Sequence, residues 1–328
     1  MTMTFRIRTA VTVGAILALA AAPAFAQSID LRLATGTPPS HVWTKAAQHF
    51  ADGISEATEG AVTVAIFPAS QLGPESDLLQ QMTVGVLDMA IVSAAANSAR
   101  TPAFAAWFAP FTINDVAATI EISKSATAQE ILDELAPQGI LGLGYVFAGM
   151  RHILMAKDSV AGLEDLQGKK IRITPFPAAQ VWWQAAGAVP TPVQLGDVYQ
   201  ALSSGLLDGV DIDLDALVGF SMQDVAEYLI VTNHMAFPGV AMITESAWGR
   251  MSEEQQVTFT TVMDETLAWA AEQQIAAEAA NLALLENEMT VIRLDGAEAI
   301  FSVSKDAYTE AFKNVPLVAQ FQNEMMSQ

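Results

Sequence analysis

The 328-residue sequence contains no cysteine, and this excludes several kinds of chemistry at once. The chain cannot form a disulfide, bind zinc through thiolates, hold an iron–sulfur cluster or use a cysteine nucleophile. Basic residues are also scarce, since 15 Lys and Arg stand against 36 Asp and Glu, for a net charge of -21. Because such a surface repels phosphate backbones, we expect no nucleic-acid partner.

Long apolar runs are missing except near the start of the chain. Two arginines precede an apolar run over residues 10–22, and the small residues Ala24 and Ala26 follow it. This order is typical of a secretory signal peptide over residues 1–26, so the mature chain would begin at Gln27. An uncleaved anchor is the alternative. Because no cysteine follows the run and no later segment could span a bilayer, we expect a soluble periplasmic protein without a lipid anchor.

Short β-branched runs alternate with helical patterns along the rest of the chain. The strand-like runs occupy residues 29–34, 62–67, 89–92, 140–147, 153–156 and 170–174. The alternation predicts βαβ units, and therefore an α/β fold whose sheets contain parallel strands. The length is about twice the ~150 residues of a typical domain, so two lobes are expected.

A long helix is predicted in the last third of the chain. Ser252 and Gln255 have the spacing of a capping box, and helix-favouring residues continue from there to about Glu288. A helix of this length exceeds what one lobe needs, so it would lie across both lobes. Two helices with a break near residues 273–274 are the alternative.

Catalytic motifs are incomplete wherever they begin. The segment 162–170 departs from a phosphate loop, and the segment 219–223 lacks the last glycine of a nucleophile elbow. The four histidines are scattered, without metal-ligand spacing. We therefore expect no enzyme activity, no metal and no cofactor.

The densest acidic cluster is formed by Asp211, Asp213 and Asp215. It resembles the start of a calcium loop, but Ala216 replaces the turn glycine and Met222 replaces the bidentate glutamate. Three carboxylates on one strand face are costly unless they are solvated or paired. Two interpretations stay open: an exposed strand end with helix-capping aspartates, or a site wall that faces a ligand donor.

Three groups of segments carry a family resemblance. They are residues 31–34, 68–73 and 85–90, then residues 163–172, and then residues 187–192, 197–202 and 205–209. Together they resemble the periplasmic solute-binding subunit of tripartite ATP-independent periplasmic (TRAP) transporters.

This resemblance implies a two-lobed α/β periplasmic binding protein with a ligand cleft between the lobes and a long bridging helix. Lobe I would comprise residues 27–149, completed by about 238–275. Lobe II would comprise residues 150–237, completed by about 276–328.

The same resemblance implies the binding residues. Arg172, in the Lys-Ile-Arg motif, would grip a substrate carboxylate, because a guanidinium offers paired donors and stays charged in a closed cleft. Arg151 lies near the family's second basic position. The full implied set is Arg172, Arg151, Thr37, Ser93, Phe176, Ile212, Asp213 and Phe237.

Departures from the family pattern indicate the kind of ligand. Pro175 and Ile212 stand where many relatives have Asn, and Leu195 replaces an aromatic residue. Two amide partners for hydroxyl or carboxyl groups are thus missing, which favours a compact, apolar or aromatic monocarboxylate. Of the aromatic residues near the cleft segments, we expect one or two to contact the ligand: Trp107, Phe108, Phe111, Phe176, Trp182 and Trp183.

The expected function is therefore a non-enzymatic receptor that delivers a small organic acid to the membrane subunits of a TRAP transporter. One alternative is a receptor for a cationic or zwitterionic amine held by Asp211 and Asp213, since Asp213 replaces a usual proline. A remote alternative is a secreted hydrolase that uses a carboxylate pair.

Overall fold

The computed structural model describes Met1 and residues 28–326. The signal-peptide prediction otherwise falls outside the described residues. The strands are β1 (Ile29–Thr35), β2 (Val62–Phe67), β3 (Met89–Ser93), β4 (Ile140–Met150), β5 (His152–Met155), β6 (Lys170–Ile173), β7 (Val189–Pro192), β8 (Gly209–Ile212), β9 (Tyr228–Val231), β10 (Ala236–Thr244) and β11 (Thr290–Arg293). The α-helices are α1 (Val42–Ala57), α2 (Glu75–Thr83), α3 (Ala94–Ser98), α4 (Val116–Ile122), α5 (Ala126–Asp133), α6 (Pro177–Ala185), α7 (Val198–Ser203), α8 (Leu214–Gly219), α9 (Glu245–Trp248), α10 (Glu253–Glu288), α11 (Ala297–Ile300), α12 (Ser302–Phe312) and α13 (Pro316–Met326).

Two sheets divide the molecule into two lobes, which confirms the predicted fold class. Lobe I is built on the sheet β2-β1-β3-β10-β4, and lobe II is built on the sheet β11-β9-β5-β8-β6-β7. The strands pair in parallel except that β10 runs antiparallel to β3 and β4, and β5 runs antiparallel to β8 and β9.

The chain passes between the two sheets three times. It leaves lobe I between β4 and β5, returns between β9 and β10, and enters the second sheet again at β11 after α10. Near the end of the chain, α12 contacts α6, whereas α13 contacts α5. The exact lobe boundaries stay predictions.

Helix α10 is a single helix of 36 residues, so the prediction of one long helix is confirmed and the two-helix alternative is wrong. Ser252 Oγ accepts the N–H of Gln255 at 3.2 Å, and Gln255 Oε1 accepts the N–H of Ser252 at 2.9 Å, which completes the capping box. The helix contacts α1 and β4 in lobe I, and α8 and β11 in lobe II. No helix in the described part of the chain combines the length and apolarity that a membrane span requires.

The two lobes share a local arrangement beside the cleft: a glycine turn, then a strand, then a short capped helix. Gly85 and Gly205 both have φ of 73°, a left-handed value that favours glycine, and each closes the turn before a strand. Strand β3 then ends at Ser93 and β8 ends at Ile212, and Ser93 and the next residue after β8, Asp213, cap the short helices α3 and α8. The carboxyl ends of the parallel strands thus face the space between the lobes, where α/β proteins usually bind ligands.

Candidate functional site

A cavity of about 350 Å³ lies between the lobes. Its lobe I wall comes from the segment after β1 and from the helices α1 to α3, and includes Gly36, Thr37, His41, Trp43, Ser70, Glu75, Ser76, Leu79, Ala96, Ala99 and Arg100. Its lobe II wall comes from β6 and from the segments after β6, β7 and β8, and includes Arg172, Thr174, Pro175, Gln194, Leu195, Asp213 and Ala216. Three more residues complete the lining. Ala148 lies in β4, Arg151 lies between β4 and β5, and Phe237 lies in β10.

Arg172 brings a buried positive charge to this cavity. It lies in β6 between the partner strands β7 and β8, its side chain is buried, and its Nε donates to the carbonyl oxygen of Val193 at 2.9 Å. No described carboxylate lies within 4.0 Å of its guanidinium nitrogens. Burial, together with the neighbouring charge of Arg151, lowers the pKa of Arg172 from 12.5 to about 9, so the group stays charged at neutral pH.

Arg151 also lines the cavity, but its charge is already matched by the protein. Its Nε donates to Asp211 Oδ1 at 2.5 Å, its Nη1 donates to Asp213 Oδ2 at 3.0 Å, and its Nη2 donates to the backbone oxygen of Asp211. Its guanidinium carbon lies 4.2 Å from the centre of the Phe237 ring, which is cation–π distance. Arg151 therefore forms direct ion pairs with carboxylates of the protein, whereas no described carboxylate contacts Arg172 directly.

The three aspartates of the acidic cluster are each paired. Asp211 lies in β8, and its Oδ2 accepts the indole N–H of Trp183 at 2.7 Å. Burial alone would raise the pKa of Asp211, but Arg151, His234 and Trp183 hold it well below its usual range.

Asp213 has a different role, because it follows the strand. It caps α8 by accepting the N–H of Ala216 at 2.8 Å, and its other oxygen meets Arg151. Its pKa is lowered by His41, Arg151 and the cap despite its burial. Asp213 is thus a helix cap, as one interpretation required, but it is buried in the cavity wall rather than exposed.

A carboxylate of lobe I faces the same cavity. Glu75 begins α2, and its Oε1 and Oε2 accept the backbone N–H and the hydroxyl of Ser93 at 2.7 and 2.6 Å. Burial raises the pKa of Glu75, although the two hydrogen bonds from Ser93 oppose this. An acid in the first turn of a helix is common, because the positive end of the helix dipole stabilises it, so the sequence pattern does not reveal that Glu75 faces the cleft.

The aromatic wall is also different from the expected one. Trp43 and Phe237 line the cavity and stack with ring centres 6.3 Å apart. A Cβ at Gly239 would lie 2.6 Å from the Trp43 ring, so the missing side chain makes room for the indole. The aromatic residues proposed from the sequence lie outside the lining and pack in the core: Trp107, Phe108, Phe111, Phe176, Trp182 and Trp183.

Five of the residues predicted for the site line the cavity: Arg172, Arg151, Thr37, Asp213 and Phe237. Three others lie one layer behind its wall. Ser93 holds Glu75, Phe176 packs on Phe108 with ring centres 4.5 Å apart, and Ile212 is buried in β8 opposite His152. Strand alternation explains the position of Ile212, because neighbouring side chains on a strand point to opposite faces. The binding roles of all eight residues stay predictions.

Comparisons with known proteins agree with this architecture. The family model described as bacterial extracellular solute-binding protein, family 7 (DctP) matches residues 33–314. A solute-binding protein of Roseobacter denitrificans is 27% identical over 304 residues, which cover 92% of this chain and 93% of that protein.

Two solved structures have similar folds. A TRAP periplasmic solute-binding protein of Xanthobacter autotrophicus, with bound β-D-galacturonate, has 26% identity and a TM-score of 0.86, and the match covers 90% of this chain and 99% of that one. A TRAP periplasmic solute-binding protein of Bordetella bronchiseptica, with density assigned to pantoate, has 25% identity and a TM-score of 0.83, with the same coverage.

Proposed function

We propose that this chain, which belongs to family 7 of the bacterial extracellular solute-binding proteins, the DctP family, is the periplasmic receptor of a TRAP-type transporter and binds a small organic carboxylate. Arg172 would hold the carboxylate between the lobes. The observation that carries this proposal is the buried guanidinium of Arg172, which faces a cavity of about 350 Å³ and has no described carboxylate within 4.0 Å.

The physical argument rests on the cost of a buried charge that no described carboxylate contacts directly, although Asp211, Asp213 and Glu75 act on Arg172 from farther away. A buried ion is strongly destabilising unless an opposite charge and hydrogen bonds compensate for it. A ligand carboxylate would supply both, since its two oxygens match the two parallel donors of a guanidinium. The energy gained on binding is therefore concentrated at Arg172.

The apolar part of the wall favours a compact and largely apolar acid. Pro175 and Leu195 both line the cavity, and neither side chain can bind a hydroxyl group. Trp43 and Phe237 add flat apolar surface on the other sides. A ligand with many hydroxyls would leave some of them unpaired here, at a cost of about 1–3 kcal/mol each.

The alternative ligand class, an amine held by Asp211 and Asp213, is less favoured by the same geometry. Both carboxylates already contact Arg151, at 2.5 and 3.0 Å, so an ammonium group would have to compete with a guanidinium that belongs to the fold. One similar solved structure has density assigned to pantoate, which is a compact, branched monocarboxylate.

Binding would close the two lobes around the ligand. Both lobes line the cavity. Ala148, Arg151 and Phe237 also line it, and they lie in or beside the two connections between the lobes, from β4 to β5 and from β9 to β10. Bending at these two connections would open the cleft so that the ligand can enter and leave, and a bound ligand would stabilise the closed form.

A thermal-shift screen tests the ligand class. Mature protein is heated with equal concentrations of short branched acids, aromatic acids, galacturonate and matched amines, because a ligand that binds more tightly at the same concentration raises the unfolding temperature more. We expect one or more compact monocarboxylates to give the largest shift. A larger shift with galacturonate would contradict the apolar preference, and a larger shift with an amine would contradict the carboxylate assignment.

A further inference from the structure

Glu75 and Arg172 face the same cavity from different lobes. Both line it, and the positive charge of Arg172 is near enough to lower the pKa of Glu75 against the effect of burial. A ligand that fills the cavity therefore meets a cation on one lobe and a carboxylate on the other.

The carboxylate of Glu75 is held in place and is still able to accept hydrogen bonds. Ser93 donates its N–H to one oxygen and its hydroxyl to the other, and Ser93 Oγ is itself fixed because it accepts the N–H of Ala96 at 3.0 Å. Each carboxylate oxygen has two lone pairs, so both retain acceptor capacity. No described Lys, Arg or His nitrogen lies within 4.0 Å of Glu75, so Glu75 forms no direct ion pair, although the charges of Arg172 and His41 act on it from farther away.

We propose that Glu75 is a specificity-determining residue: it selects an acid whose second polar group is a hydroxyl and rejects an acid whose second polar group is another carboxylate. A hydroxyl donates to the free acceptor positions of Glu75. A second carboxylate would place two like charges together in a site partly shielded from water, which is unfavourable. This inference rests on the proposed function, because Arg172 must already hold the first carboxylate.

A hydroxyl also suits the site better than an ammonium group. Arg151 and Arg172 already bring two positive charges to this cavity, so an ammonium group would meet like charges there. A hydroxyl carries no charge and still donates a hydrogen bond to the carboxylate of Glu75. The preferred ligand is therefore a branched hydroxy acid.

Four probe acids on one carbon frame test this inference. The reference is tert-butylacetate, and in the other three a methyl group is replaced by hydroxymethyl, carboxylate or aminomethyl. Calorimetry on the wild-type protein should rank the hydroxymethyl acid about tenfold or more above the reference, and the dicarboxylate below it. If the dicarboxylate or the aminomethyl acid binds as tightly as the hydroxymethyl acid, the inference is wrong.

Glu75→Gln provides the matched change, because it keeps the shape of the side chain and removes the charge. The ratio of affinities for the hydroxymethyl acid and the dicarboxylate should fall by about tenfold or more in this variant. Glu56→Gln removes an equally negative but exposed side chain on α1 and should leave the ratio unchanged. An unchanged ratio in Glu75→Gln contradicts the inference, and the wild-type ranking stands as a test by itself if this variant does not fold.

The Arg172→Ala variant separates the two possible failures. If it binds tert-butylacetate as tightly as the wild type does, or if the wild type binds none of the four acids, the proposed function fails. If binding depends on Arg172 and the four acids do not follow the predicted order, the inference about Glu75 alone fails.

Discussion

The carboxylate of Asp215 in lobe II accepts the backbone N–H of Val42 in lobe I, with Oδ2 and the nitrogen 2.7 Å apart. Val42 is the first residue of α1, and its N–H belongs to the helix end that has no partner within the helix. Asp215 is buried at this contact, and its Oδ1 lies 3.4 Å from the amide nitrogen of Asn281 in α10. One side chain thus joins the two lobes at the edge of the cavity.

This contact predicts that Asp215 stabilises the closed form. In Asp215→Ala the charged acceptor is lost, so the closed form should be less populated and the affinity for an acid ligand should fall about tenfold. Small-angle X-ray scattering of the ligand-free variant should give a larger radius of gyration than that of the wild type. Asp224→Ala, which removes an exposed carboxylate of lobe II, serves as the control. Equal radii and equal affinities in wild type and Asp215→Ala would refute the idea.

A second prediction concerns the stability that Arg151 provides. In Arg151→Met, Asp211 and Asp213 would be buried without the guanidinium that contacts them, so the free energy of unfolding should fall by about 3–5 kcal/mol. Denaturant titration at neutral pH measures this change.

Two further variants test the cause of that loss. Adding Asp211→Asn and Asp213→Asn to Arg151→Met should restore much of the free energy of unfolding, because the unmatched charges are then gone. Arg293→Met breaks an exposed pair with Glu286 and should cost no more than about 1 kcal/mol. A cost for Arg151→Met as small as that for Arg293→Met would show that the network contributes little.

A third prediction concerns the stability of the fold at low pH. The pKa of Asp211 is lower in the folded chain than its usual value of about 3.9, so the folded state binds fewer protons than the unfolded state near that pH. The stability from Asp211 is therefore complete above about pH 5 and is lost as the pH falls through the usual value toward the folded one. The free energy of unfolding, measured from neutral pH down to about pH 3, should decrease less steeply in Asp211→Asn than in the wild type. The same slope in both proteins would contradict the assignment.

The sequence was sufficient to predict the fold because the relevant signals are local. The β-branched runs that became β1, β2 and β3 are bounded by turn residues, and the capping box at Ser252 marks the start of α10. The family resemblance then identified Arg172, which the structure places at the cavity. The strand runs and the capping box are each contained within a few residues, whereas the resemblance depends on short segments spread over residues 31–209.

The arrangement of the site could not be predicted in the same way, because its contacts join distant parts of the chain. Arg151 meets Asp213 across 62 positions, and Val42 meets Asp215 across 173. The strand pattern at residues 209–215 suggested three aspartates on one face, but β8 ends at Ile212 and the last two aspartates belong to a helix cap and a helix. Only the packing of the two lobes reveals which carboxylates are already matched.

The most direct test of the account is the affinity of Arg172→Ala for the acid that stabilises the wild-type protein most in the thermal-shift screen. Because the variant removes the cation that pairs with the ligand carboxylate, isothermal titration calorimetry should show a loss of about 30-fold or more, and Arg172→Lys should restore only part of it. Lys157→Ala, which removes an exposed cation, should bind like the wild type. Wild-type affinity in an Arg172→Ala protein with an unchanged circular dichroism spectrum would contradict the carboxylate assignment.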